Sequence, residues 1–228
     1  MELSPLTATE MRAFEEYAVK KYGVTLESMM ERAGRAVFEV VMKECLAGSG
    51  EVLKQVQDDN RPRPHVLVVA GKGNNGGDAL VAAELLKKEG VNVTVYQPYS
   101  GHDIGEVLKQ VQDDNKYNLI IDGLFGFSLK GNPRPPADEV IQKINASRIP
   151  VLSIDVPSGL DAETGQLMIP AVRATYTVTL GMPKVGLDAH KDHVGKLFLG
   201  NVGVPEKAYE ESGYYFPIFL GKSYIPLH

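Results

Sequence analysis

The stretch His65-Val-Leu-Val-Val-Ala-Gly71-Lys-Gly-Asn-Asn-Gly-Gly-Asp78 reads as a buried parallel strand running into a glycine-rich turn and then a helix. Five apolar positions in a row, Val66 to Ala70, leave no polar face, as expected of a strand covered on both sides. Gly71-x-Gly73-x-x-Gly76 then matches a dinucleotide fingerprint in its proper context, between a strand and a helix. Small residues admit a phosphate, and the free N–H groups of the helix start attract it. Turn chemistry alone also favours Gly and Asn here, so the pattern by itself does not demand a ligand. Outward from this stretch the chain alternates, with a helix at about 77–89, strands at 91–96, 117–121, 150–154, 174–180 and about 195–201, and further helices near 104–112 and at 136–147. Such alternation predicts an α/β, three-layer Rossmann-like fold with a mostly parallel central sheet and helices on both faces.

Before this body, residues 7–22 and 25–46 predict two helices, from Met11, Phe14, Tyr17 and Ala18 and then Met29, Met30, Ala33, Val37 and Val40 at helical spacing. After it, the aromatic tail from Tyr214, with Pro217 and Pro226, is expected to pack as an extended segment. The 228 residues fit one domain over 1–228: N-terminal helices at 7–46, body at 65–205 and tail at 206–228. Glu-Val-Leu-Lys-Gln-Val-Gln-Asp-Asp-Asn occurs identically at 51–60 and 106–115 with unlike flanks, which is too short and too exact for a structural repeat. A net charge of -5 argues against a nucleic-acid partner, and no apolar run reaches membrane-spanning length. The single cysteine, Cys45, excludes an internal disulfide and reads as a buried structural thiol. The N-terminus lacks a secretory signal, so a cytoplasmic protein is expected, or a mitochondrial one if a targeting segment has been removed.

Two strand ends carry acids where open α/β sheets place their ligands: Asn118-Leu-Ile-Ile-Asp122 and Val151-Leu-Ser-Ile-Asp155. Each taken singly could be an Asp that caps the next turn. Together with Asn74, Asn75 and Asp78 they bring polar groups to one rim. Carboxylate, amide and hydroxyl oxygens suit a hard cation, so one near Asn75, Asp122 and Ser158 is chemically reasonable. His190 and His193 share a loop and read as solvated. The second strand ends in Gln97-Pro98, without the ribose-binding acid of a conventional dehydrogenase. Neither a P-loop nor a Gly-x-Ser-x-Gly elbow is present.

Met30-Glu-Arg-Ala-Gly34, Gly73-Asn-Asn-Gly-Gly-Asp78, Asp122-Gly-Leu-Phe-Gly126, Ser153-Ile-Asp-Val-Pro-Ser-Gly-Leu-Asp161 and Gly200-Asn-Val-Gly-Val-Pro205 together resemble the NAD(P)H-hydrate epimerases, the YjeF N-terminal domain family. Ala79 and Asn201 depart from it, standing where Gly and Asp are common. The resemblance implies an isomerase that interconverts the R and S epimers of hydrated NADH or NADPH. A separate S-specific dehydratase would be its functional partner, and a homodimer its assembly. It also implies substrate contacts from Asn74, Asn75, Gly76, Gly77 and Asp78, from Gly126, Phe127, Ser128, Leu129, Lys130, Gly131 and Asn132, and from Asp155. A potassium ion would be held by Asn75, Asp122 and Ser158. Epimerisation needs a positioned proton donor and acceptor rather than a redox centre. Asp155 is the first choice, with Lys130 as its partner, although a phosphate clamp or a solvated lysine explains Lys130 equally well. The kinase-like dehydratase domain fused to this one in many prokaryotic proteins is expected to be a separate protein, unless the chain is a fragment. The rival readings are a non-catalytic binding module of the same fold and a conventional dehydrogenase.

Overall fold

The structure, a computed structural model, describes residues 3–46, 63–100 and 117–227. The N-terminal helix α1 (Ala8–Tyr22) begins at a capping box in which Thr7 and Glu10 satisfy each other's backbone N–H groups, and ends at Gly23 with φ 66°. Helix α2 (Leu26–Val40), capped by Thr25, buries Met29, Ala33, Gly34, Val37 and Val40 and widens into a π-helical segment over Val41–Leu46. The two helices predicted from apolar spacing are thus both present. Cys45 is half-buried, and burial pushes its thiol pKa up, against nucleophilic reactivity.

The body runs β1 (His65–Ala70), α3 (Asn74–Lys88), β2 (Asn92–Tyr96), β3 (Leu119–Gly123), α4 (Ala137–Ala146), β4 (Val151–Ile154), β5 (Tyr176–Leu180), α5 (Lys191–Val194), β6 (Lys196–Gly200), α6 (Glu206–Glu211) and β7 (Tyr224–Pro226). Among the described residues the seven strands form one sheet in the order β2-β1-β3-β4-β5-β6-β7. All pairings are parallel except the last, in which β7 lies antiparallel on β6.

Alternation along the strands sorts the core into two layers. Val66 and Val68 of β1, Leu119 and Ile121 of β3, and Leu152 and Ile154 of β4 pack with α1, α2 and α3. Leu67, Val69, Ile120 and Val151 face the other way, toward Val140, Ile141 and Ile144 of α4. Helices therefore cover both faces, as the unbroken apolar strands require.

Two expectations change. Helix α3 starts at Asn74 rather than near 77, so Asn-Asn-Gly-Gly-Asp is its first turn and not a loop; the apolar signal used to place the start only begins at Ala79. A helical turn, α6, precedes the tail from Tyr214, whose end pairs as β7 on β6. His193 is buried at 8% exposure rather than solvated, because α5 folds it against the body, where its carbonyl accepts from the Ala174 N–H. Its Nδ1 lies 3.1 Å from Asp192, and with His190 these side chains bring three ligand-type atoms within 4.8 Å of one another, a proximity the sequence spacing did not suggest. The helix predicted near 104–112 and both copies of the repeated decamer, at 51–60 and 106–115, lie outside the described residues. No described helix is long and apolar enough to cross a membrane.

Candidate active site

From β1 the chain crosses to β2 on one side, and β3 lies on the other. This reversal opens a crevice at the carboxyl ends of β1 and β3, the switch point where such sheets take their ligands. Gly73 is the N-cap of α3, and the first helical bond runs from the Gly77 N–H to the Gly73 carbonyl. The N–H groups of Asn74, Asn75 and Gly76 precede it and are available to an anion. Gly71 and Gly76 are fixed by packing: a Cβ on Gly71 would lie 2.0 Å from the Leu124 carbonyl oxygen, and one on Gly76 would lie 2.0 Å from that of Gly71. A Cβ on Gly73 would meet nothing within 4 Å. Close backbone packing thus uses two glycines of the fingerprint and leaves the third beside the crevice.

The crevice is a cavity of about 460 Å³. Of the residues expected to contact substrate, Asn74, Asn75, Asp78, Gly126, Phe127, Ser128, Leu129, Lys130 and Asp155 line it. Gly76, Gly77, Gly131 and Asn132 are not part of its wall. Gly77 packs toward Met30 of α2, and Asn132 instead accepts a hydrogen bond from the Ile169 N–H at 3.0 Å.

Asp155 follows β4 with φ 68°, a left-handed conformation that a non-glycine residue adopts at some cost and that Asp tolerates better than most. The turn buries its carboxylate at 3% exposure. One oxygen accepts from the Phe127 N–H at 3.1 Å. The other accepts from the Leu180 N–H at 3.3 Å and lies 2.5 Å from Lys184 Nζ. Lys184 is itself 1% exposed and donates to the Leu180 carbonyl at 2.6 Å. The ammonium beside Asp155 is therefore that of Lys184, whereas Lys130 sits at the exposed edge of the cavity. Lys184 carries no strand-end signal in the sequence: it lies in Gly181-Met-Pro-Lys184, four residues past the carboxyl end of β5 at Leu180, rather than closing the strand as Asp122 and Asp155 do. Glu15, Lys72 and Tyr99 also line the cavity without having been singled out, and Lys72 Nζ lies 4.6 Å from the Tyr99 ring centre.

Behind the cavity, Asn75, Asp122 and Ser158 meet around Phe125. The Phe125 carbonyl accepts from Asn75 Nδ2 at 2.9 Å and from Ser158 Oγ at 3.4 Å, and the Phe125 N–H donates to Ser158 Oγ at 3.0 Å. Asp122 is fully buried and accepts from Ser158 Oγ at 2.6 Å, Ser153 Oγ at 2.8 Å, Ser158 N–H at 2.9 Å and Leu124 N–H at 3.3 Å. No lysine or arginine pairs with it among the described residues, and burial raises its pKa. A desolvated carboxylate with hydroxyl and carbonyl oxygens nearby, and no cationic side chain, has the donor chemistry that fits a hard monovalent cation.

Residues 26–186 match the family model described as YjeF-related protein N-terminus. An NAD(P)H-hydrate epimerase of Weissella koreensis is 35% identical over 87% of this chain and 91% of its own length. One of Plasmodium knowlesi is 34% identical over 90% of this chain and 71% of its own. The crystal structure of yeast ynu0 superposes with a TM-score of 0.82 at 26% identity, covering 99% of this chain and all of that one. By sequence over most of its length, and by fold, the chain belongs to the family of YjeF-related protein N-termini.

Proposed function

We propose that this protein is an epimerase that interconverts the R and S forms of hydrated NADH and NADPH. The observation that carries the reading is the Asp155–Lys184 pair, buried at the wall of a crevice whose other side is a helix start suited to a diphosphate. The hydrated carbon of the substrate carries both a hydroxyl and the ring nitrogen. Inversion there requires a proton on the leaving hydroxyl, expulsion of water by the nitrogen lone pair, and return of water to the opposite face with loss of a proton. No electrons are gained or lost, in keeping with a site built of acids and a lysine. Asp155 is one group that exchanges a proton with the substrate. Lys184 and the N–H groups of Phe127 and Leu180 hold its carboxylate in place.

Asn74 and Asn75 would offer backbone N–H groups to the phosphates, and Lys72 and Lys130 add positive charge at the rim. A potassium ion at Asn75, Asp122 and Ser158 would neutralise the buried carboxylate and fix the segment that carries Phe125 and Gly126. The S epimer would pass to a separate dehydratase. A homodimer would cover apolar surface such as Ile218 and Leu220 of the tail, which are 69% and 84% exposed.

The decisive experiment starts from pure R hydrate with an S-specific dehydratase in excess and follows cofactor recovery. This protein is expected to accelerate recovery well beyond spontaneous epimerisation, and Asp155→Asn, which keeps the left-handed turn accessible, to abolish most of that gain. Binding of the hydrate without acceleration by the unaltered protein would instead assign a non-catalytic module.

A further inference from the structure

Helix α1 precedes the segment matched by the family model, yet it forms part of the cleft. Its buried stripe is Met11, Phe14 and Ala18, and by helical spacing Glu15 belongs on that same face, where an apolar residue would be expected. The side chain lines the cavity with Asp78, Asp155 and Lys184. Next to it, Arg12 donates to Ser128 Oγ at 3.2 Å and lies 6.0 Å from the centre of the Phe127 ring, so α1 is docked on the loop that walls the substrate space. Neither Glu15 nor Asp78 forms a hydrogen bond or an ion pair with another described side chain. An acid in an inward-facing position, without a structural partner and at the wall of a ligand cavity, has a chemical rather than a structural reason to be there.

We propose that Glu15 is a catalytic residue, the general acid of the cleft, acting on the substrate hydroxyl opposite the Asp155–Lys184 pair. This rests on the epimerase reading. The cleft brings three carboxyls, Glu15, Asp78 and Asp155, to one buried ammonium, Lys184. Mutual repulsion in a poorly solvated space favours a proton on the carboxyls that lack a partner. Burial is the largest influence on Glu15 and pushes its pKa up to about 7; Asp155 adds to the rise, while Lys184 and Arg12 oppose it. Burial likewise raises Asp78, with Asp155 and Glu15 adding to it and Lys184 opposing. Tyr209, whose hydroxyl contacts the Gly181 carbonyl, is the other titratable group whose electrostatics couple to Glu15. In the forward step the Glu15 carboxylic acid gives its proton to the hydroxyl, the C–O bond breaks as the ring nitrogen donates its electron pair, and water departs. In the return step water adds to the opposite face of the C=N bond and loses a proton to the Asp155 carboxylate, and that proton passes back to Glu15 through solvent, so atoms and charge balance without a co-reactant.

The test compares wild type, Glu15→Gln and Glu15→Asp in the coupled R-hydrate assay across pH, with hydrate binding followed separately by ligand-induced thermal shift. For wild type, kcat is expected to fall as pH rises through about 7, because the acid must be protonated to act. Glu15→Gln should bind the hydrate and melt no lower than wild type, since it removes a carboxyl that burial disfavours. Its kcat should drop on the order of 100-fold, with that limb of the profile gone. Glu15→Asp should restore part of the rate together with a pH limb. Wild-type kcat in Glu15→Gln, or a slow variant that keeps the wild-type pH limb, would overturn the assignment. Failure of the wild type itself to epimerise would instead overturn the function on which it rests.

Discussion

A lysine that is 1% exposed survives burial because its ammonium meets Asp155 and the Leu180 carbonyl at once. Removing one partner leaves the other charged and desolvated. Lys184→Met is therefore expected to lower both stability, by about 3 kcal/mol, and turnover. The double variant Asp155→Asn/Lys184→Met should recover most of the stability and none of the activity. Urea unfolding of the four proteins of the cycle checks this, and independent, additive losses would deny that the two residues act as a pair. The sequence let Asp122 and Asp155 be read because each closes an apolar strand at the rim where ligands bind. Lys184 and Glu15 escaped for opposite reasons. Lys184 lies three residues beyond Gly181, past a proline, and a lysine in such a loop reads as solvated until the fold turns it inward. Glu15 sits among charged neighbours on α1, and only contact of that helix with the loop at Phe127 and Ser128 shows which face it shares.

At the scale of the element, the turn from β1 into α3 is where local and tertiary demands coincide. Gly71 and Gly76 let the β1 exit, the helix start and the segment after β3 touch through backbone alone. Asn74 and Asn75 read as turn formers, so apolar spacing puts the helix start three residues late; the true start is set by Gly73 as N-cap, without a side-chain cap. Gly76→Ala is expected to destabilise by about 2 kcal/mol through overpacking against the Gly71 carbonyl. Gly73→Ser should fold as well as wild type, because its side chain has open space and a serine at an N-cap can accept a helix N–H. It should nonetheless weaken hydrate binding by crowding the phosphate side of the crevice. Equal denaturation midpoints for Gly76→Ala and wild type would remove the packing explanation for that glycine.

For the molecule as a whole, the topology makes one cleft from segments as distant as Glu15, Asn75, Asp155 and Lys184, and such convergence can be anticipated only where the strand order is known. Strand periods and helical spacing made the layers legible; the β7 pairing and the docking of α1 were not, since both depend on contacts between segments far apart in sequence. The same convergence buries Asp122 between neighbouring strands, in register with Val69 of β1 and Ser153 of β4, and surrounds it with hydroxyl and N–H donors but, among the described residues, no cationic side chain. A cation bound only by the folded state adds stability in proportion to the logarithm of its concentration. Potassium chloride is therefore expected to raise the melting temperature above that in tetramethylammonium chloride at equal ionic strength, because the larger ion could not enter the site proposed at Asn75, Asp122 and Ser158. Screening of exposed charges is matched between the two salts, which isolates the specific effect. Asp122→Asn, which removes the charge at the centre of the trio, should melt at the same temperature in both. Equal melting temperatures for the wild-type protein in the two salts would rule potassium out as a stabilising ligand of the trio.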